Sequence, residues 1–486
     1  MTSFYCGKST GQTESATDGE HLRLSGFCIQ FTANIIDATT LTDFCLANHS
    51  KTAKGPAMNY AQHLADVLTI KHHFELPLDY QAPLGKQISI FARELVSVEN
   101  QDKNLPYMVF FQGGPGFGAM RPASNSGWIK RALKECRVLL LDQRGTGLST
   151  PVSAMSLLHL DTKAQAEYLS HLRADNIVRD AEAIRAQLSP QQKWRILGQS
   201  FGGFCVLRYL SVAPEGIEEA YITGGIPSLT RSADEVYQAT YHRVLAKNRD
   251  FFARFSDAQS LVTQLASHIS ANQVYLATGE RLTVEMLQLL GVNIGMEQGP
   301  ETVYYLLEQA LITTETGTQV NPLFLAHFCQ LLDYNTNPLF AIMHEAIYCQ
   351  NSASNWAAHR VRSQFPEFHY QAGKPFLFTG EMVYPWMLDQ FNQLKPLKDA
   401  AWQLAEKSDW PALYNIDALA QNTVPVAAAI YSEDMFVEMR YSLETAAQVG
   451  NLKYWLTSEY EHNGIRMDGE RILDKLIALN RGQVLR

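Results

Sequence analysis

The chain has 486 residues, of which 46% are hydrophobic and 18% are charged, and its formal net charge is −9. This length allows one large domain with an insertion or two to three ordinary domains, and the composition is typical of a soluble globular protein. The acidic balance argues against nucleic acid and against an anionic membrane as partners.

The cysteines and the apolar runs indicate in which cellular compartment the protein is found. Seven cysteines are scattered along the chain and form no Cys-x-x-Cys pair. An odd, dispersed set in a chain of this size indicates reduced thiols, so we predict a cytoplasmic protein. No apolar run reaches the length of a membrane span, and the N-terminus lacks the basic-then-apolar pattern of a secretory signal.

Residues 1–57 differ from the rest of the chain. They contain the polar, turn-rich stretch KSTGQTESATDGEH, and the apolar residues that follow it show no clear period. We therefore predict an N-terminal extension, mostly irregular, that lies outside the core. A short arm docked on the core is the alternative.

Residues 58–225 show the pattern of the first part of an α/β core. The alternating segments IKHHFELPLDY and KQISIFAREL are separated by APLGK, which predicts an antiparallel hairpin. Short apolar runs bounded by Gly and Asp then predict parallel strands covered on both faces. These runs are YMVFF (107–111), RVLLLD (137–142), WRILG (194–198) and AYITG (220–224).

Residues 226–415 carry almost no strand signal and contain helical segments such as ETVYYLLEQALI. Strand patterns return within residues 416–486, in VPVAAAIYSED and LKYWLTSEYEHNG, before an amphipathic helix in DGERILDKLIALNRG. The chain order predicts one α/β domain with a mainly parallel central sheet and a large helical insertion.

Ser200 lies in the segment WRILGQSFGG, where an apolar strand precedes Gly-x-Ser-x-Gly and a helical pattern follows it. This strand–turn–helix order is the one that a nucleophile elbow requires. We predict that Ser200 is a nucleophile and that the N–H group of Phe201, at the helix start, stabilises an oxyanion. A chance match to Gly-x-Ser-x-Gly, which is a common pattern, is the alternative.

A serine nucleophile needs a base, and the base needs an orienting carboxylate. Elbow hydrolases carry these residues in the order serine, acid, histidine, with each just after a strand. Asp434 follows the strand VPVAAAIY, and His462 follows the strand LKYWLT. We predict Asp434 and His462 for these roles, with Glu433 as the alternative acid.

The glycine-rich loop FFQGGPGFG follows the first central strand. Such a loop can supply the second oxyanion donor, and we predict the N–H group of Gly114. A phosphate loop is disfavoured because no Gly-Lys-Ser/Thr follows, and Pro115 interrupts a dinucleotide fingerprint. In the next loop, LDQRGTGLS, we expect Asp142 and Arg144 to pair and brace the structure.

The combination of GGPG, DQRGTGLS and GQSFGG with the later segments YSED and EYEHNG resembles the proline iminopeptidases of the α/β-hydrolase superfamily. The resemblance runs from about residue 70 to the C-terminus. It implies an α/β-hydrolase fold with a helical cap, and removal of N-terminal proline from peptides without a metal or another cofactor. Gln112 departs from the pattern, since many members have histidine there, and it has no assigned role.

The resemblance also implies that acidic residues of the cap bind the free amine of the substrate. Glu345 in MHEAIYCQ and Glu381 in FTGEMVYPW match that arrangement. Phe201, Tyr348, Tyr384 and Trp386 are candidates for the walls around a pyrrolidine ring, with core packing as the alternative for each of them.

We therefore expect a serine aminopeptidase that acts on peptides with a free N-terminal proline. A carboxylesterase or amidase on the same scaffold is the first alternative, because fold does not fix function. The cap glutamates distinguish the two, since an esterase has no use for an amine-binding site. A non-catalytic binding protein is the second alternative, and an intact set of serine, acid and histidine in the expected order argues against it.

Overall fold

The computed structural model describes residues 61–485, so the predicted extension at 1–57 lies outside the described residues. The centre is a nine-stranded sheet with the strand order β1-β2-β3-β5-β4-β6-β7-β10-β11. The strands of this sheet are β1 (Ala61–Leu64), β2 (Val67–Pro77), β3 (Gln87–Ser97), β4 (Tyr107–Phe111), β5 (Arg137–Leu141), β6 (Trp194–Gln199), β7 (Ile217–Thr223), β10 (Val426–Tyr431) and β11 (Leu452–Thr457).

Strands β5, β4, β6, β7, β10 and β11 pair in parallel, and β1, β2 and β3 form the antiparallel part. The predicted hairpin is β2–β3, in which Val67 pairs with Ser97 and Pro77 with Gln87. The predicted fold class, α/β with a mainly parallel sheet, is confirmed.

Helices cover both faces of the sheet, and β4 shows how the sequence produces this arrangement. Alternate side chains of a strand point to opposite faces. Met108 and Phe110 pack with helices α1 (Gly127–Ala132) and α17 (Gly469–Asn480). Val109 and Phe111 pack on the other face, with the helices that flank β6. Because both faces are buried, the strand is an unbroken apolar run.

The remaining helices between β5 and β7 are α2 (Thr162–Ser170), α3 (Ala174–Leu188) and α4 (Phe201–Val212). Between β10 and α17 lie α15 (Met439–Ala446) and α16 (Gly464–Met467). No helix within residues 61–485 is both long and apolar enough to cross a membrane. The four cysteines of this part of the chain carry free thiols, and Cys6, Cys28 and Cys45 lie outside it.

A largely helical segment joins β7 to β10, its neighbour in the sheet. It begins with α5 (Ala233–Arg254), whose N-terminus is closed by a capping box between Ser232 and Glu235. The helices that follow are α6 (Ala258–Ala271), α7 (Val284–Gln288), α8 (Gly299–Glu308), α9 (Pro322–Gln330), α10 (Pro338–Met343), α11 (Ala357–Val361), α12 (Met387–Gln390), α13 (Lys398–Glu406) and α14 (Ile416–Ala420).

The same segment contains an antiparallel hairpin that the sequence analysis did not predict. Its strands are β8 (Leu311–Thr314) and β9 (Gly317–Val320). Most of their side chains are exposed or half-buried, so the hairpin lacks the buried apolar run that marked the other strands. The limits of the segment as a separate cap, residues 226 and 415, stay a prediction.

Candidate active site

Ser200 occupies the turn between β6 and α4, with φ 56° and ψ −128°. A positive φ is unfavourable for a residue with a side chain and is characteristic of functional positions. The turn is held from both sides: the Ser200 N–H group donates to the Thr223 carbonyl at 3.1 Å, and its own carbonyl accepts from Gly203 N–H at 2.7 Å. The backbone therefore fixes the position of this serine.

The glycines around Ser200 are required by close backbone approaches. A Cβ atom on Gly202 would lie 2.0 Å from the carbonyl oxygen of Phe111 in β4. A Cβ atom on Gly198 would lie 2.3 Å from the carbonyl oxygen of Gly202. No side chain fits at either position, so the pattern of glycines lets helix α4 start directly against the sheet.

Asp434 and His462 meet at the carboxyl edge of the sheet, after β10 and β11. A hydrogen bond of 2.7 Å joins His462 Nδ1 to Asp434 Oδ2, and both residues are buried. The other carboxylate oxygen, Oδ1, accepts from Phe436 N–H at 2.8 Å and from Val437 N–H at 3.1 Å. The alternative acid, Glu433, is largely exposed and lies 3.6 Å from Arg243, so the structure brings Asp434 to the histidine.

Ser200 and His462 line one cavity of about 170 Å³. Neither Ser200 Oγ nor His462 Nε2 forms a hydrogen bond with any residue from 61 to 485. Contacts between a catalytic serine and its base are often long without substrate and shorten when it binds. In the described part of the chain, no group of three or more His, Cys, Asp or Glu side chains is placed to hold a metal ion.

The glycine loop lies directly against the serine. A Cβ atom on Gly113 would be 3.0 Å from Ser200 Cβ, and Gly114, with φ 132°, lines the cavity. The N–H groups of Gly114 and Phe201 donate to no acceptor among the residues that the structure describes. Two N–H groups without an acceptor thus lie beside Ser200, and their assignment to an oxyanion stays a prediction.

Glu381 lines the same cavity as Ser200 and His462. Its carboxylate accepts no hydrogen bond from a side chain or backbone N–H of residues 61–485, and His344 Nε2, at 3.8 Å, is the basic group within 4.0 Å in this part of the chain. Burial lowers the pKa of His344 to about 4, so this imidazole is neutral. Burial and the charge of Asp434 hold the pKa of Glu381 well above its usual value, so its ionised form is disfavoured unless a cation binds beside it.

Glu345 does not line the cavity. Its two carboxylate oxygens accept from Ala357 N–H and Ala358 N–H, each at 2.9 Å, at the start of α11. The first N–H groups of a helix have no partner inside the helix, so this carboxylate stabilises a helix end. Glu345 therefore has a backbone partner on each oxygen and lies outside the cavity wall, and its role beside Glu381 in binding an amine stays a prediction.

Replacing Glu345 with alanine should lower the free energy of unfolding by about 1–2 kcal/mol, because two buried N–H groups lose their acceptor. The midpoint of urea unfolding measures this loss, and Glu345→Gln should be milder because one oxygen remains. Glu315→Ala, in the exposed turn between β8 and β9, is the matched control. If Glu345→Ala has the wild-type urea midpoint but binds prolyl substrates more weakly, Glu345 binds the substrate amine and does not stabilise the helix end.

The aromatic residues predicted as walls do not line the cavity. Tyr384 is fully buried, its hydroxyl bonds to Tyr241 at 3.0 Å, and its ring stacks on Trp386 at 5.9 Å. Tyr348 packs edge-on against Tyr237 at 6.0 Å. These rings belong to the core of the helical segment, as does the side chain of Phe201 to the core beneath the elbow.

Three other aromatic residues line the cavity instead: Phe117, Tyr334 and Phe340. Tyr334 stacks on Phe340 at 5.7 Å, and Phe117 meets Phe340 edge-on at 5.1 Å. None of the three was predicted from the sequence. Phe117 stands within the glycine loop FFQGGPGFG and could have been chosen on that ground, whereas no local signal marks the other two.

Asp142 and Arg144 brace the loops, but they do not pair with each other as expected. Asp142 accepts from Ala119 N–H at 2.9 Å and pairs with Arg121. Arg144 pairs with Asp180 at 2.6 Å and donates to the carbonyl of Leu78 at 2.8 Å. Each charge is thereby satisfied away from the cavity.

Gln112 connects the glycine loop to an arginine that the sequence analysis did not select. With its side-chain amide turned to the orientation that satisfies both the oxygen and the nitrogen, the Gln112 oxygen accepts from Arg466 Nη2 at 2.9 Å and from Gly113 N–H at 3.3 Å. Arg466 Nη2 also donates to Gln199 Oε1 at 3.4 Å. Arg466 lies in the short helix that follows His462. This proximity in sequence to His462 could have marked Arg466 as a candidate site residue.

Comparison with known proteins identifies the family. Residues 106–274 match the model of the α/β hydrolase fold. A proline iminopeptidase of Aeromonas sobria is 56% identical over 411 residues, which cover 84% of this chain and 96% of that protein. The chain belongs to the proline iminopeptidase family. The predicted resemblance is thus confirmed, and the protein is a hydrolase of the α/β-hydrolase superfamily.

A proline iminopeptidase of Aspergillus aculeatus is 32% identical over 428 residues, which cover 86% of this chain and 94% of that protein. A crystal structure of a proline iminopeptidase of Mycobacterium smegmatis matches 84% of this chain and 99% of its own, at 13% identity and a TM-score of 0.38.

Proposed function

We propose that this member of the proline iminopeptidase family is a serine aminopeptidase that releases N-terminal proline from peptides. The observation that carries the proposal is the uncompensated carboxylate of Glu381 in the cavity of Ser200 and His462. A hydrolase that recognises a free amine needs such a carboxylate beside its nucleophile. The names of the Aeromonas and Aspergillus relatives agree with this reading.

The first half of the proposed reaction forms an acyl-enzyme. Ser200 Oγ attacks the carbonyl carbon of the prolyl residue while His462 Nε2 takes the hydroxyl proton. Asp434, bonded to Nδ1, keeps the imidazole in the tautomer whose Nε2 accepts a proton and then stabilises the imidazolium. The N–H groups of Gly114 and Phe201 hold the negative oxygen of the tetrahedral intermediate.

Collapse of this intermediate breaks the peptide bond. His462 gives its proton to the nitrogen of the leaving peptide, and proline remains as an ester on Ser200. In the second half, a water molecule attacks the ester carbon while His462 again accepts a proton, and the same two N–H groups stabilise the second oxyanion. Return of the proton to Ser200 Oγ releases free proline and restores the enzyme.

Recognition of the substrate rests on charge. The N-terminal nitrogen of a prolyl peptide is a secondary ammonium with two N–H donors, and charge-assisted hydrogen bonds are stronger than neutral ones. Glu381 lacks a cation among the described residues and lies near the charge of Asp434, so a bound ammonium relieves an unfavourable carboxylate. Phe117, Tyr334 and Phe340 supply apolar surface for the ring.

The test is a panel of aminoacyl p-nitroanilides with N-acetyl-prolyl p-nitroanilide as the blocked control. We expect kcat/KM for the prolyl substrate to exceed that of the acetylated one by about 100-fold or more, since acetylation removes the charge and both N–H donors. Equal hydrolysis of free and acetylated substrates would contradict the proposal and favour a carboxylesterase or amidase.

A further inference from the structure

The cavity carries an arginine for which the proposed reaction has no use. Arg466 lines the cavity together with Ser200, His462 and Glu381. Within residues 61–485 no carboxylate lies within 4.0 Å of its guanidinium, and the charged group that influences it is Asp333, also at the cavity wall. A guanidinium remains charged at all physiological pH values, so Arg466 places a positive charge at the cavity wall.

Arg466 is an exposed residue that lines the cavity, and most of its donors have no acceptor within residues 61–485. Nη2 is directed at the side-chain oxygens of Gln112, at 2.9 Å, and Gln199, at 3.4 Å. The N–H groups on Nη1 and Nε find no acceptor in the described part of the chain. A guanidinium presents its donors as a planar fork that matches a carboxylate, and two of its three nitrogens are available for that contact.

Arg466 is close to the reacting centre but separate from the amine-binding carboxylate. Gln199 immediately precedes Ser200, and a Cβ atom on Gly113 would lie 3.1 Å from Gln199 Oε1 and 3.0 Å from Ser200 Cβ. Asp434 is the charged group that acts on Glu381, whereas Asp333 acts on Arg466. Within residues 61–485 Glu381 and Arg466 form no ion pair, so one cavity holds a carboxyl group and a guanidinium at separate positions.

We propose that Arg466 binds the C-terminal carboxylate of the leaving peptide, so that the preferred substrates are prolyl dipeptides and tripeptides with a free carboxyl terminus. The inference rests on the proposed function. A short prolyl peptide carries an ammonium at one end and a carboxylate at the other, which matches the two charges of the cavity. One extended residue spans about 3.3–3.6 Å. With one or two residues after the scissile bond, the C-terminal carboxylate of the substrate therefore stays close to Ser200, in the region of the cavity where Arg466 lies.

The test compares Pro-Gly with Pro-Gly amide, which differ in the terminal charge alone. We expect wild-type kcat/KM to be about tenfold higher or more for Pro-Gly, and Pro-Gly-Gly should behave as Pro-Gly does. In Arg466→Met this preference should disappear, while kcat/KM for prolyl p-nitroanilide should change by less than about threefold. Because each comparison is made within one variant, a loss of folded protein cancels.

Three variants distinguish binding of the substrate carboxylate by Arg466 from support of the glycine loop through Gln112. Arg466→Lys keeps the charge without the fork and should retain part of the preference. Gln112→Leu removes the contact with the loop and should leave the preference in place. Arg471→Met, at the exposed surface of α17 where Arg471 bonds to Tyr460, is the matched control and should behave as wild type.

Equal wild-type rates for Pro-Gly and Pro-Gly amide would overturn this inference while leaving prolyl aminopeptidase activity intact. Equal losses on Pro-Gly and on prolyl p-nitroanilide in Arg466→Met would also overturn it and assign Arg466 to positioning the loop through Gln112. Failure of the wild type to release proline from any of these substrates would overturn the proposed function itself.

Discussion

Replacing Ser200 with alanine should lower kcat on prolyl p-nitroanilide by about 10⁴-fold or more, because the acyl-enzyme can no longer form. His462→Ala should cost nearly as much, since serine and histidine act as one unit and their losses do not add. Asp434→Asn should cost less than either. Asparagine can still contact the imidazole, but it lacks the charge that stabilises the imidazolium.

Steady-state kinetics with active-site titration measures these losses. Ser260→Ala, on the exposed face of α6, is the matched control and should retain wild-type activity. The double variant Ser200→Ala, His462→Ala should be no slower than Ser200→Ala alone. If Ser200→Ala keeps a tenth of the activity, Ser200 is not the nucleophile and the proposed reaction is wrong.

Replacing Glu381 with glutamine should reduce kcat/KM for prolyl p-nitroanilide by about 10–100-fold, as expected for one charge-assisted hydrogen bond of about 1.5–3 kcal/mol. Glutamine keeps the size of the side chain, so the cavity and the elbow should stay intact. Hydrolysis of N-acetyl-prolyl p-nitroanilide should be nearly unchanged, because this substrate has no ammonium to lose.

The rate at which a small acylating reagent labels Ser200 reports whether the nucleophile is intact in this variant, and we expect the wild-type rate. Glu367→Gln, at an exposed position of the same helical segment, is the matched control. A parallel decrease for the free and the acetylated substrate would show that Glu381 shapes the site without binding the amine.

The elbow, the acid and the histidine could be located from the sequence because each is marked by its local context. Ser200 lies between a strand and a helix, and the glycines beside it are imposed by contacts within a few residues or with the adjacent strand. Asp434 and His462 each follow a buried strand. Parallel strands bring their carboxyl ends to one edge, so chain order alone predicted that these residues meet.

The cavity walls could not be predicted in the same way. Tyr384 and Glu345 stand in segments that match the family, yet the first packs in a core and the second stabilises a helix end. Tyr334 and Phe340 line the cavity because of how distant helices pack, and a sequence pattern does not record such packing. Arg466 differs, since it lies four positions after His462 and therefore at the same edge.

The strand order also has a consequence for how the protein is made. β7 lies in the interior of the sheet between β6 and β10, but its partner β10 follows only after about two hundred further residues. At ordinary rates of translation, one edge of β7 therefore stays unpaired for about 10 to 40 s, until β10 has been synthesised. An unpaired apolar strand is a site of aggregation, so the nascent chain needs protection during this interval. Asp434 and His462 emerge later still, so Ser200 is without both residues for about half of the synthesis of the chain.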